Sequence, residues 1–101
     1  HITEIEGRTP LSGAVVGNLS PALADEYNIN LFGNGVVILR IRRGSAANRL
    51  DFRPGDIVRL INNQLIQNVD DLQGSLGGQR NEEWRIRIER NGKGLDFVFR
   101  G

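Results

Sequence analysis

The chain predicts a mainly β domain with short helices, arranged as a small, partly open antiparallel barrel or sandwich flanked by two or three helices. Three observations carry this. Residues 82–90 alternate strictly, with Trp84, Ile86 and Ile88 on one side and Arg85, Arg87 and Glu89 on the other, and Leu95, Phe97 and Phe99 alternate back after Asn91-Gly92. Two short β-branched runs, Val36 to Ile41 and Ile57 to Ile61, are bounded by Gly, Pro and Asn. Between them stand helix-start residues followed by segments too short for a bundle.

Taken in order, Thr9-Pro10-Leu11-Ser12-Gly13 reads as a loop and Ala14 to Leu19 as a strand. Ser20-Pro21 starts a helix of one or two turns to Tyr27, with Ser20 as cap and Pro21 at the first helical position. Leu31-Phe32-Gly33-Asn34-Gly35 is turn chemistry before the strand at Val36. Ser45 caps a second short helix by accepting from its orphan amides. Pro54-Gly55 makes a turn whose amides Asp56 can accept, and the strand to Ile61 ends at Asn62-Asn63. Gln64-Leu65-Ile66 is a brief extension. Asn68 caps a helix from Val69 to Leu76, with Asp70 and Asp71 in the turn favoured by the helix dipole, and Gly77-Gly78 ends it.

With 101 residues and no cysteine, the chain holds one domain, with neither disulfides nor thiolate metal sites. The net charge of +1 makes no demand for nucleic acid or an acidic membrane. No apolar run approaches the roughly 20 residues of a membrane helix, so direct membrane insertion is not expected. Ile5-Glu6-Gly7-Arg8 equals a factor Xa recognition tetrapeptide preceded by a stump-like His1, so residues 1–8 are read as a vector or tag remnant outside the fold and 9–101 as the domain.

Catalysis finds no constellation. The single histidine is His1, no cysteine exists, and the adjacent carboxylates Asp70 and Asp71 diverge by about 100° on a helix. No carboxylate cluster has calcium-loop spacing, so no metal, cofactor or enzymatic role is expected. Arg40, Arg42 and Arg43, and Arg85, Arg87 and Arg90, form two basic clusters. The aromatics beside them fall on inward positions, unlike the exposed aromatics of an RNA-binding sheet, so nucleic acid is not expected as a partner.

The stretch Gly44-Ser45-Ala46-Ala47-Asn48-Arg49-Leu50-Asp51-Phe52-Arg53-Pro54-Gly55-Asp56-Ile57 resembles the GSPAA-x-AGL-x-PGD-x-I signature of PDZ domains, above all those of HtrA/Deg-type proteases. It departs from that signature at Ala46 for Pro, at Leu50-Asp51 for Ala-Gly and, beyond it, at Asn63 for Gly. Asp51 must therefore adopt the left-handed conformation that ends the helix. Residues 11–24 are similar to the C-terminal, second PDZ domain of periplasmic proteases of that type.

The resemblance implies a non-catalytic module that binds C-terminal or extended hydrophobic segments of unfolded polypeptides by strand addition and regulates a trypsin-like protease domain elsewhere. It implies a periplasmic or extracytoplasmic setting, and contacts with other domains or subunits of the parent protease. An alternative within the same resemblance is an assembly module with a vestigial groove. A PDZ domain from another membrane-linked protease or secretion protein is a third.

By the same resemblance, Leu11, Ser12, Gly13 and Ala14 form the peptide-carboxylate loop, with the amides of Ser12, Gly13 and Ala14 as anion donors. Val15, Val16 and Gly17 are the strand that pairs with the ligand. Val69, Gln73 and Leu76 share a helical stripe and form the groove wall, although Val69 and Leu76 fit a core equally well and Gln73 fits a plain surface. Leu11, Ala14, Val16, Leu76 and Ile38 are expected to line an aliphatic pocket suited to a terminal Val, Leu or Ala.

Overall fold

The computed structural model describes residues 2–26, 34–77 and 83–100. Expectations that fall on His1, Tyr27, Leu31-Phe32-Gly33, Gly78 and Glu82 lie outside these residues. The elements are β1 (Ile2–Glu4), β2 (Ala14–Asn18), α1 (Pro21–Glu26), β3 (Val36–Ile41), α2 (Ala46–Arg49), β4 (Ile57–Ile61), β5 (Gln64–Leu65), α3 (Val69–Leu76), β6 (Glu83–Arg90) and β7 (Lys93–Arg100).

The strands form one antiparallel sheet in the order β1-β2-β3-β4-β6-β7, with β5 paired to β4 alone. The sheet is not closed: β1 and β7 are its two edges. Three short helices accompany it, so the partly open architecture expected from the sequence holds.

Local chemistry explains each joint. Ser20 Oγ accepts from the Leu23 amide, Ser45 Oγ from Asn48 and Asn68 Oδ1 from Asp71, so all three expected caps are made. Asp71 returns the favour by accepting from the Gln67 amide at 3.0 Å. Asp51 takes φ 72°, as the missing glycine required. Asn62 and Asn63, at φ 48° and 67°, turn β4 into β5, and Asn91-Gly92 turns β6 into β7 with φ 53° and 78°. Both are hairpin turns whose positive φ values match the twist of the flanking strands.

The main core cluster lies on one face of the sheet, and Val37, Leu39 and Ile57 are buried on the other. Leu11, Val16, Ile38, Val58, Ile61, Ile66, Leu72, Ile86 and Ile88 are essentially fully buried in one cluster. Burying each such side chain stabilises the fold by about 1.5–3 kcal/mol. Trp84, Ile86 and Ile88 face inward as the alternation predicts. On their partner strand Phe97 and Phe99 pack against the cluster but are only half-buried, and Leu95 is exposed, as suits the edge strand β7. The Phe97 ring stacks on Phe52 with centroids 4.7 Å apart, and Phe99 meets Phe52 edge-on at 5.9 Å.

Residues 2–5 also correct the sequence reading, which set 1–8 apart from the fold. β1 pairs with β2, and Ile5 is 3% exposed within the core cluster. A cloning-site-like tetrapeptide carries no information about burial. One isoleucine in a polar arm is too sparse a pattern to announce a strand.

Candidate functional site

The site is built on β2, whose two edges differ. One edge pairs with β3 through Ala14↔Ile41, Val15↔Arg40, Val16↔Ile38, Gly17↔Val37 and Asn18↔Val36, with a bulge between Val15 and Val16. The other edge was expected to stand open for a ligand. It is taken by β1 through Ile2↔Gly17, Thr3↔Val16 and Glu4↔Val15. The expected open edge is therefore corrected: the chain supplies its own antiparallel strand there.

The helix expected to wall the groove forms over Val69–Leu76. α3 stands at the end of β2, where Asn18 Oδ1 accepts from the Val69 amide at 2.7 Å. Of its stripe, Gln73 is exposed, while Val69 and Leu76 are buried at 4% and 5% exposure. Val69 and Leu76 thus belong to the core, and Gln73 alone presents a polar head to solvent. Leu72 faces the core, as expected. Ile38, Leu11, Ala14 and Val16 are also fully buried, in the same cluster as Ile5. The residues expected to line an aliphatic pocket are packed together in the core.

The loop before β2 departs further from expectation. The Ser12 amide donates to Thr9 O at 3.2 Å and the Ala14 amide to Leu11 O at 3.0 Å, so these two donors close turns and do not face an anion. Only the Gly13 amide points toward the incoming strand, donating to Ile5 O at 2.8 Å. Ile5 in turn donates to Ala14 O at 2.8 Å. Thr9 and Ser12 share a hydroxyl hydrogen bond, which tightens the turn and draws its amides inward. No three-amide carboxylate nest results.

The loop is held from behind. The Ala47 amide donates to Ser12 O and the Arg42 amide to Gly13 O. Gly13 sits at φ 94°, and a Cβ there would overlap the side chain of Ser45. Glycine is required by both the left-handed backbone and the close approach of α2.

Several charges around the site are paired. Arg42 donates through Nη2 to both Glu4 oxygens at 2.7 and 2.9 Å. Arg85 meets Glu83, and Arg87 meets Asp96 through two bonds of 2.9 and 3.1 Å. Hydrogen bonding to Arg87 holds the Asp96 carboxyl below the usual aspartate range, against the opposing effect of desolvation. Arg90 grips Asp56, which is 1% exposed, through two bonds of 2.8 Å, while Asp56 also accepts from the Arg53 amide at 2.9 Å. Arg42 of the first basic cluster and Arg85, Arg87 and Arg90 of the second therefore each face a carboxylate.

Sequence reasoning missed Ile5, Glu4 and Asn18 as site residues. Ile5 and Glu4 lay in the excluded segment. Asn18 looked like an ordinary strand end. An open cleft of about 590 Å³ runs past Gly7, Pro10, Leu50, Trp84 and Phe99, with none of Val69, Gln73 or Leu76 in its wall.

The family relationship follows from comparison with known proteins. A family profile described as PDZ domain matches residues 37–90. The chain is 30% identical over 78 residues to a probable periplasmic serine endoprotease DegP-like from Chlamydia pneumoniae, covering 77% of this chain and 16% of that protein. It is 37% identical over 80 residues to the mitochondrial serine protease HTRA2 of Bos taurus, covering 74% of this chain and 18% of that one. The chain thus spans less than a fifth of the length of these relatives.

Among solved structures, an HtrA-type protease AlgW with decapeptide shares the fold at a TM-score of 0.71, with 23% identity over 85% of this chain and 26% of that one. The HtrA3 PDZ domain bound to the phage-derived ligand FGRWV superposes at 0.69, with 18% identity over all of this chain and 91% of that one. The chain belongs to the PDZ-domain family, whose members are protein-interaction modules.

Proposed function

We propose that this PDZ domain is the peptide-binding, regulatory module of an HtrA/Deg-like serine protease, in the position of a second PDZ domain, working in an extracytoplasmic compartment. It captures extended or C-terminal hydrophobic segments of unfolded polypeptides on β2, opposite β3. The observation that carries the reading is the pairing of β1: the outer edge of β2 accepts an extended segment antiparallel, residue for residue, and seats an aliphatic side chain in the core. Two of the structural neighbours are described with peptide ligands, which supports the same reading.

Val15, Val16 and Gly17 supply the ladder, Leu11, Ala14, Val16 and Leu76 the apolar seat, Gly13 the backbone donor, and Gln73 the polar contact from α3. Affinity is in the micromolar range, about −7 to −8 kcal/mol. The test is a titration of isotope-labelled protein with free-carboxylate peptides ending in Val, Leu or Ala, carried to millimolar concentration. Saturable amide shifts at Gly13, Val15, Val16 and Gln73 are expected. Silence of β2 and α3, in the intact chain and in a chain lacking residues 1–6, sinks the reading and leaves the assembly role, with contacts between subunits or domains of the parent protease.

A further inference from the structure

β1 is a short edge strand, joined to the sheet through three pairs with β2 alone. It is three residues long, and its first side chain, Ile2, is 60% exposed. Its anchor is Ile5, with one backbone bond to Ala14 and one from Gly13. Among the described residues, its one ion pair joins Glu4 to Arg42, whose side chains are 31% and 68% exposed, a class of contact that contributes little to stability.

The loop that follows does not depend on β1. Its turns are closed by Thr9, Leu11 and Ser12, and its carbonyls are tied to Arg42 and Ala47. Toward the strand the loop gives the Gly13 amide to Ile5 O, and Ser12 Oγ donates to Gly7 O. Removing β1 therefore leaves the receiving edge in place, with Ala14 O and the Gly13 amide unpaired and the seat of Ile5 open.

We propose that residues Ile2–Ile5 are a resident occupant of the peptide edge of β2, that outside peptides bind by displacing them, and that the groove selects peptides of the same chemistry: an aliphatic residue at the place of Ile5, preceded by a carboxylate residue facing Arg42. This rests on the peptide-binding reading above. Competition follows from mass action: a peptide sees only the fraction of molecules whose β1 has lifted, and its apparent affinity falls by that fraction. The selectivity follows from the pairing of Arg42 with both oxygens of Glu4, which an incoming Asp or Glu reproduces and a Lys opposes.

The probe is the hexapeptide Ile-Thr-Glu-Ile-Glu-Gly, titrated into the intact chain and into a chain lacking residues 1–6. The shortened chain is expected to bind at least tenfold more tightly, with shifts on β2. Changing the first Glu of the peptide to Lys weakens binding about threefold or more, and Arg42→Glu reverses that preference. Equal affinity for both chains overturns the displacement while leaving peptide binding intact. Binding by neither chain overturns both readings. Failure of the shortened chain to fold overturns the proposal, because β1 is then an ordinary structural strand.

Hydrogen exchange on the intact chain gives an independent check that needs no variant. The Ile5 and Gly13 amides are expected to exchange at least a hundredfold faster than the amides of Ile38 and Ile86, through local opening of β1. Equal protection overturns the proposal.

Discussion

The two edges of the sheet are built by opposite means. β7 is an eight-residue strand joined to β6 by two residues, in a register that runs unbroken from Arg90↔Lys93 to Glu83↔Arg100. Most of its side chains are exposed, yet its backbone is paired along its whole length. β1 pairs over three residues, is followed by a looped segment, and owes its place to one buried isoleucine. An edge held by many local bonds behaves as part of the fold. An edge held by one side chain and a few bonds can open while the rest of the sheet stays formed.

The difference sets where substitutions should hurt most. The base of the β6–β7 hairpin is pinned by Arg90, which donates twice to the buried Asp56 and once to Asp51 O. Asp56→Ala leaves Arg90 without its partner in a site where its own side chain is 17% exposed, and should cost about 3–5 kcal/mol in urea denaturation. A loss below about 1 kcal/mol would show that the hairpin does not rely on this clamp.

A matched pair of truncations compares the edges directly. Ile86 and Ile5 are 1% and 3% exposed, so burial alone predicts similar costs. Ile86→Ala should cost about 2–5 kcal/mol, the usual range for a core isoleucine. Ile5→Ala should cost less than half of that, since its effect is capped by the free energy that docks β1. Equal costs in parallel denaturation curves would place both edges in one cooperative unit.

The smallest effect lies on the outer face of β7. Arg87 donates to both oxygens of Asp96 and lowers its pKa in the folded state. A depressed carboxylate contributes stability that is present above the ordinary aspartate pKa of about 3.9 and is lost as pH falls through the folded value. The pair is exposed, so the stability change is slight and the titration itself is the useful readout. A carboxyl-carbon NMR titration should find the Asp96 midpoint below the ordinary range, and Arg87→Gln should return it there. A normal midpoint in the unmodified chain would remove this pair from the account of the edge.

Much of the domain was legible because its signals are local. A cap is a hydroxyl or amide three residues from its amide, as at Ser45 and Asn68, and an Asn-Gly pair is a hairpin turn because of its own φ preferences. Alternation over residues 82–90 needs no partner to be read. The signature around residues 44–57 located the family for the same reason: each joint carries its own punctuating residue. The groove was legible only in outline. β2 and α3 form over the expected residues and Gln73 is exposed, while the Ser12 and Ala14 amides close local turns onto Thr9 O and Leu11 O.

By itself, then, the sequence determined the order of elements from β2 onward, their caps and turns, the inward face of β6, and the membership of the PDZ family. Only the tertiary structure decided that Ile5 is core, that Arg90 and Asp56 meet across 34 residues, and that the receiving edge of β2 carries a strand of its own. The physical reason is common to all three. Each depends on burial and pairing between segments whose local patterns are unremarked, and sequence spacing records such encounters only when they repeat with the period of a helix or a strand.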